Sequence, residues 1–284
     1  RINTERGWVY FKAPAPAYHY EAPLTAALAG WAPQMSVSLL AHNLEKGWLL
    51  SAHAGETLRS RAQTTAQLAD WEKILPEYAQ LQTTLAPRVE EMLAFGMPDR
   101  RPERLPALFD AILQDEKNLR VGLDPGLTAA EFQSLKNLRP KVEEWSAQLS
   151  ASGIPASLAH EELHENNVLY SEEGYVYTDW SDSSIAHPFF TMMVTLRASA
   201  YWLKLDEYGK EMARLRDAYL EPWTKYQPRA ALLELFPIAY RLGMFNRALS
   251  WQRGIGSLAW QEREEYADNV PGWLQDFLAV HQTV

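Results

Sequence analysis

Polar chemistry is concentrated between His160 and Asp182. His160-Glu161-Glu162-Leu163-His164 leads through Asn166-Asn167 into a strand-like run, Val168-Leu169-Tyr170, then a turn, Ser171-Glu172-Glu173-Gly174, and a second run, Tyr175-Val176-Tyr177-Thr178-Asp179. Two incompatible chemistries fit this stretch. As H-E-x-x-H, a helix would present His160 and His164 to zinc while Glu161 activates water, which describes a zinc metallohydrolase. That motif needs a helix, yet a strand-like run follows almost at once, no histidine stands six residues beyond His164, and Glu172 and Glu173 fall in the turn.

The other reading takes His160 and Glu162, with Asn167 five positions beyond Glu162 and Asp179 seventeen beyond it. This is the layout of a kinase active site, where a loop carboxylate orients the attacking hydroxyl and an Asn and a second carboxylate across a hairpin hold magnesium. Magnesium takes hard oxygen ligands from closely spaced segments, which Asn167 and Asp179 supply. An ordinary surface hairpin is the plain alternative, but hairpin, spacing and residue types agree together.

Several elements must position these residues. Trp8-Val9-Tyr10-Phe11, after a Glu5-Arg6-Gly7 turn, reads as the edge of a strand ending at Lys12; a helix follows from Glu21 to about Gly30, then strands over Ser36 to Leu40 and Trp48 to Leu50. From residue 57 to 150 the texture is helical and cut by prolines. Thr128 and Glu131 fit a capping box, and Pro140 is expected to interrupt the helix they open. Pro188, Pro228 and Pro271 are each placed to open a helix. The fold class is therefore α+β, a small β-rich lobe over 1–54 followed by a large, mostly helical lobe over 55–284.

With 47% hydrophobic residues, 284 residues are enough for two lobes and a sizeable core. Twenty-seven Lys and Arg against 36 Asp and Glu give a net charge of −9, the wrong sign for gripping nucleic acid. The absence of cysteine excludes disulfides and thiolate sites. No apolar run approaches the ~20 residues that span a bilayer, and the first residues lack the shape of a signal peptide, so a soluble, cytoplasmic protein without a membrane partner is expected. Residues 1–54 carry +1 and the remainder −10, which favours a cationic small-molecule acceptor. Tyr201, Trp202, Trp223, Trp251, Trp260 and Trp273 could wall its pocket or simply pack in the core. Nothing fixes the oligomeric state.

The chain resembles the aminoglycoside phosphotransferase-like small-molecule kinases, whose signature is close to H-G-D-L-H-x-x-N-x-L followed by I-D-W. Here it reads His160-Glu-Glu-Leu-His-Glu-Asn-Asn-Val-Leu169, then Tyr177-Thr-Asp-Trp-Ser-Asp182 and His187-Pro-Phe-Phe190. The resemblance implies a bilobal protein-kinase-like fold, ATP and Mg2+, and transfer to a hydroxyl. By position it puts Glu162 at the catalytic base, His160 at the histidine bracing the loop, and Asn167 and Asp179 at magnesium. His164 would be structural. Lys12 would contact the ATP phosphates with Glu21 as its ion-pair partner, and the strand and hinge from Trp48 to Gly55, with Ser51 and His53, would meet adenine.

Four departures accompany the match. Glu162 replaces an aspartate, His187 stands where an acidic residue is common, Thr191 stands where a supporting aspartate is frequent, and no glycine-rich loop precedes Lys12. Either residues upstream of Arg1 complete the lobe or the protein lacks that clamp, and the second option describes a nucleotide-binding pseudokinase.

Overall fold

Aromatic and β-branched side chains favour extended backbone, and β2 (Gly7–Lys12) lies inside an antiparallel sheet between β1 (Ile2–Thr4) and β4 (Trp48–Ala52), with β3 (Leu39–Asn43) on the far side of β4. The computed structural model describes residues 1–5, 7–60, 64–171 and 174–282. Arg6 of the expected first turn and Glu172 and Glu173 of the hairpin turn lie outside them. Helix α1 (Glu21–Trp31) packs against β3 and buries Ala22, Leu24 and Leu28. The strand expected over Ser36 to Leu40 begins only at Leu39. A 3-10 turn at Pro33–Met35 delivers Ser36 to a single bridge with Tyr177 instead of to the sheet.

Gly55, at φ +116°, follows β4. A Cβ there would collide with the carbonyl oxygen of Tyr170, so only glycine lets the chain pass so close. Strand β5 (Glu56–Thr57) then joins an antiparallel sheet with β8 (Val168–Ser171) and β9 (Gly174–Tyr177). The sheet β6 (Asp99–Arg100), β10 (Ser183–Ala186) and β7 (Ser157–His160) sits deeper, with β7 and β10 entirely buried.

Helices supply the rest of the second lobe: α2 (Thr64–Leu85), α3 (Val89–Ala94), α4 (Leu105–Ile112), α5 (Glu116–Leu119), α6 (Ala129–Ala151), α7 (Thr191–Leu203), α8 (Lys210–Leu220), α9 (Arg229–Gly256) and α10 (Asn269–Gln282). Helix α2 packs on α8, and α9 on α6, α7 and α10. Trp71, Tyr78, Phe109, Tyr219, Phe245 and Phe277 are fully buried there.

Pro140 does not interrupt its helix. Helix α6 continues through it, as α2 and α9 continue through Pro76 and Pro237, because burial of flanking Leu138 and Val142 outweighs the lost hydrogen bond. Pro228 caps α9 and Pro271 lies in the first turn of α10, but Pro188 opens a 3-10 turn ahead of α7. The capping box is formed. Thr128 Oγ1 accepts from the Glu131 amide at 3.1 Å, and the Glu131 carboxylate accepts from the Thr128 amide at 2.7 Å. Thr128→Ala should therefore cost about 1 kcal/mol in urea unfolding; an unchanged midpoint and slope would show the cap to be idle.

Candidate active site

Antiparallel pairing of Ser183 with His160 brings together the two ends of the excursion 161–182. The loop 161–167, the hairpin β8–β9 and the turn after it thus rise from two buried strands. His160 Nε2 donates to the Thr178 carbonyl at 2.9 Å, and its Nδ1 accepts from the Glu162 amide at 3.2 Å. Burial lowers its pKa to about 4, so the ring is neutral and serves as a brace between loop and hairpin. The Asn167 side chain donates to the Glu162 carbonyl at 2.9 Å, which fixes it on the same loop. Thr195 Oγ1, one turn beyond Thr191 on α7, donates to the Leu163 carbonyl at 2.8 Å. Support expected from position 191 therefore arrives four residues later.

Lys12 ties the lobes together. Its Nζ donates to Glu21 Oε1 at 2.7 Å and to Asp179 Oδ1 at 2.6 Å, while Glu21 Oε1 also accepts from the Trp180 amide at 3.0 Å. Burial works against the charge on Lys12, but the Glu21 and Asp179 carboxylates together outweigh it and raise its pKa. Burial likewise opposes the charge on Asp179, and Lys12 and the Ser181 hydroxyl, at 2.6 Å, more than compensate, so its pKa is lowered. Asp179 adopts the left-handed conformation, φ 62°. Lys12, Glu21, Ser51, His53, Asn167 and Asp179 all line one cleft of about 600 Å³ between the sheet lobe and the hairpin.

Glu162 lies on the other side of the loop. Its Oε2 accepts from His164 Nε2 at 2.9 Å, and its Oε1 is bonded to the buried Arg247 of α9, whose Nη1 reaches Asp182 Oδ2 at 3.1 Å. Burial lowers the Arg247 pKa to about 10, which leaves it charged at neutral pH. His164 thus touches the candidate base directly and orients it.

No family model and no curated protein matches the sequence. Solved structures do match. An ethanolamine kinase from Plasmodium vivax is 12% identical at a TM-score of 0.60, over 95% of this chain and 74% of its own. A choline kinase from Streptococcus pneumoniae is 14% identical at 0.60, over 95% and 85%. A macrolide 2'-phosphotransferase from Brachybacterium faecium is 16% identical at 0.59, over 95% and 86%. The chain has the bilobal, protein-kinase-like fold of small-molecule kinases.

Within this kinase-like fold the zinc arrangement is not assembled. No helix carries 161–167, both His160 nitrogens are engaged, and Glu161 is buried against Arg100. No cluster of three potential metal ligands occurs among the described residues. Of the aromatic tail, Trp223 is core, Tyr201 is exposed, and Trp251 lines a second, smaller cavity; the Trp260 side chain lies outside the description. No helix of the described residues is long and apolar enough to cross a membrane.

Residues that local spacing did not single out hold the loop 161–167. Arg100 Nη1 contacts both Glu161 oxygens, at 3.0 and 2.9 Å, and Asn246 and Ser250 close the pair from α9. Arg247, Ser250, Trp251 and Gly254 repeat at i, i+3, i+4 and i+7, one face of α9 turned to the smaller cavity. The available signal was polar: Asn246, Arg247 and Ser250 interrupt an otherwise apolar helical run, where charge is rarely buried without a partner.

Proposed function

We propose that the protein transfers the γ-phosphoryl group of magnesium-bound ATP to a hydroxyl of a small molecule. The observation that carries this reading is the convergence of Lys12, Glu21, Asn167 and Asp179 on one cleft, with Glu162 on the loop that ends in Asn167. The donor set suits a magnesium nucleotide: a carboxylate and an amide oxygen for a hard cation, an ammonium for phosphate, and a volume in the range of ligand pockets. Bound magnesium-ATP supplies the phosphoryl group, with the ion neutralising phosphate charge.

Asn167 and Asp179 would hold the ion and Lys12 the phosphates, with Glu21 keeping Lys12 in place. Ser51 and His53 line the same cleft, and the strand and hinge from Trp48 to Gly55 would offer backbone groups to adenine. Residues 1–54 then act as the nucleotide lobe and 55–284 carry the loop, the hairpin and the acceptor site. Glu162 holds the acceptor hydroxyl. As the hydroxyl oxygen bonds to the γ-phosphorus, the bond to the β,γ-bridging oxygen breaks, its electron pair leaves on ADP, and the hydroxyl proton passes to Glu162. A carboxylate has about four acceptor positions, so the contacts with His164 and Arg247 leave room for this.

Nucleotide binding without transfer is the second reading, and one observation favours it: Glu162 is already neutralised by Arg247. Calorimetric titration with ATP, with and without magnesium, followed by ADP release with acceptors, separates the two. Asp179→Asn should abolish magnesium-dependent nucleotide binding with the fold intact, because asparagine tolerates the left-handed backbone that Asp179 adopts. Unchanged magnesium-ATP affinity in the folded variant would remove Asp179 from the metal site.

A further inference from the structure

A second cavity of about 300 Å³ opens on the far side of the turn after β9. Asp179 and Trp180 line the nucleotide cleft, whereas Ser181 and Asp182, the next two residues, line this one together with Tyr18, Arg247, Trp251 and Tyr266. Four successive residues of one turn thus border both cavities. Arg247 lines the cavity and is bonded to Glu162, so the candidate base adjoins it. Gly254 completes the α9 face, since a Cβ there would meet the Tyr18 hydroxyl.

Overall charge favours a cationic acceptor, but the local charges oppose one. The Trp251 ring already carries the Arg247 guanidinium, 5.4 Å from its centroid, and stacks on Tyr266 at 5.9 Å. The Tyr18 ring has Arg253 over it at 5.7 Å. A ligand cation seeking these π faces would meet two protein cations there first. An anion fares no better, because the Asp182 carboxyl lines the same space. Arg247 is shared between Glu162 and Asp182, the latter at 3.1 Å, and burial raises the Asp182 pKa to about 7, so the wall offers one cationic donor and one carboxyl rather than a full charge of either sign. Hydroxyl pairs both donate and accept, and the C–H face of a ring packs on Trp251 or Tyr18 without needing charge.

We propose that this cavity binds the acceptor and that the acceptor is a neutral polyhydroxylated molecule of monosaccharide size, an inference that rests on the phosphotransferase reading. The test uses the intact chain with magnesium-ATP and three sets of probes: D-glucose, D-ribose and myo-inositol as neutral polyols, choline and ethanolamine as cations, and D-glycerate as an anion. ADP release and quenching of tryptophan fluorescence are read for each. At least one polyol should raise ADP release tenfold or more and quench saturably, with Trp251→Phe removing much of the quench. Asp182→Asn should raise that polyol's KM tenfold or more while nucleotide affinity holds within twofold. Stimulation by choline, ethanolamine or glycerate with the polyols inert overturns the proposal, and so does inertness of every polyol when magnesium-ATP is bound. If magnesium-ATP does not bind, the phosphotransferase reading fails by itself; saturable polyol quenching then still upholds the chemistry of the cavity, and its absence overturns that as well.

Discussion

Glu162→Gln should lower acceptor-dependent ADP release at least about a hundredfold, the usual scale for loss of a positioned proton acceptor, while magnesium-nucleotide affinity stays unchanged. Glutamine keeps the length of the side chain, and its amide oxygen can still accept from His164 or Arg247. The capacity to take the hydroxyl proton is lost, together with the charge facing Arg247 and one of the two acceptor oxygens. Glu162→Asp is the sharper comparison. Withdrawing the carboxylate by about 1 Å separates it from Arg247 and from a near-attack position together, which can cost on the order of a hundredfold. If the added methylene of Glu162 is matched by Arg247 and His164, both variants are slower than the parent. A faster Glu162→Asp would instead mark a decayed site, in which the ion pair with Arg247 silences the base. Steady-state ADP release for the three proteins decides, and Glu162→Gln turning over at the parent rate would falsify any catalytic role.

The largest expected loss of stability belongs to Arg100. Arg100 and Glu161 are 5% and 3% exposed, and their carboxylate-guanidinium contact is completed by Ser184, Ser250 and Asn246. Arg100→Met leaves Glu161 buried without its counter-charge, which costs about 3–5 kcal/mol, a large share of the ~5–15 kcal/mol that holds a typical domain folded. Replacing both partners, as in Arg100→Met with Glu161→Leu, should restore part of the loss, because no lone charge remains inside. Urea denaturation of the parent, the single and the double variant reads this directly. A single-variant loss below about 1 kcal/mol, or a double variant worse than the single, would mean that the pair is not what fastens loop 161–167 to α9.

What was legible in the sequence was what lies close in sequence or at an element's end. Asn167 and Asp179 sit at the two bases of one hairpin, Lys12 at the end of a strand and Glu21 at the start of a helix, so residue type and spacing suffice. Arg247 acts on Glu162 across 85 positions and Arg100 on Asn246 across 146, and local pattern carries no information about which helix face meets which loop. The strand at Ser36 and the break at Pro140 failed for the same reason. Local propensity was overruled there by partners supplied from Tyr177 and from the helices around α6. Glu161 is the instructive residue: in the string H-E-x-x-H it resembles a catalyst, and only its burial against Arg100 identifies it as a fastening.

On the proposed reading, the bond from Lys12 to Asp179 puts an ammonium on the carboxylate that would hold the divalent cation. A cation arriving alone would compete with Lys12 for that carboxylate, and where it displaced the ammonium would leave Lys12 with Glu21 as its counter-ion. A polyphosphate arriving at the same time gives the displaced ammonium a new anionic partner, so the eviction becomes an exchange. On the proposed reading the two ligands are thus thermodynamically linked, each raising the affinity of the other by the same factor. With both in place, the sheet lobe and the hairpin are joined through the nucleotide and no longer through a direct ion pair.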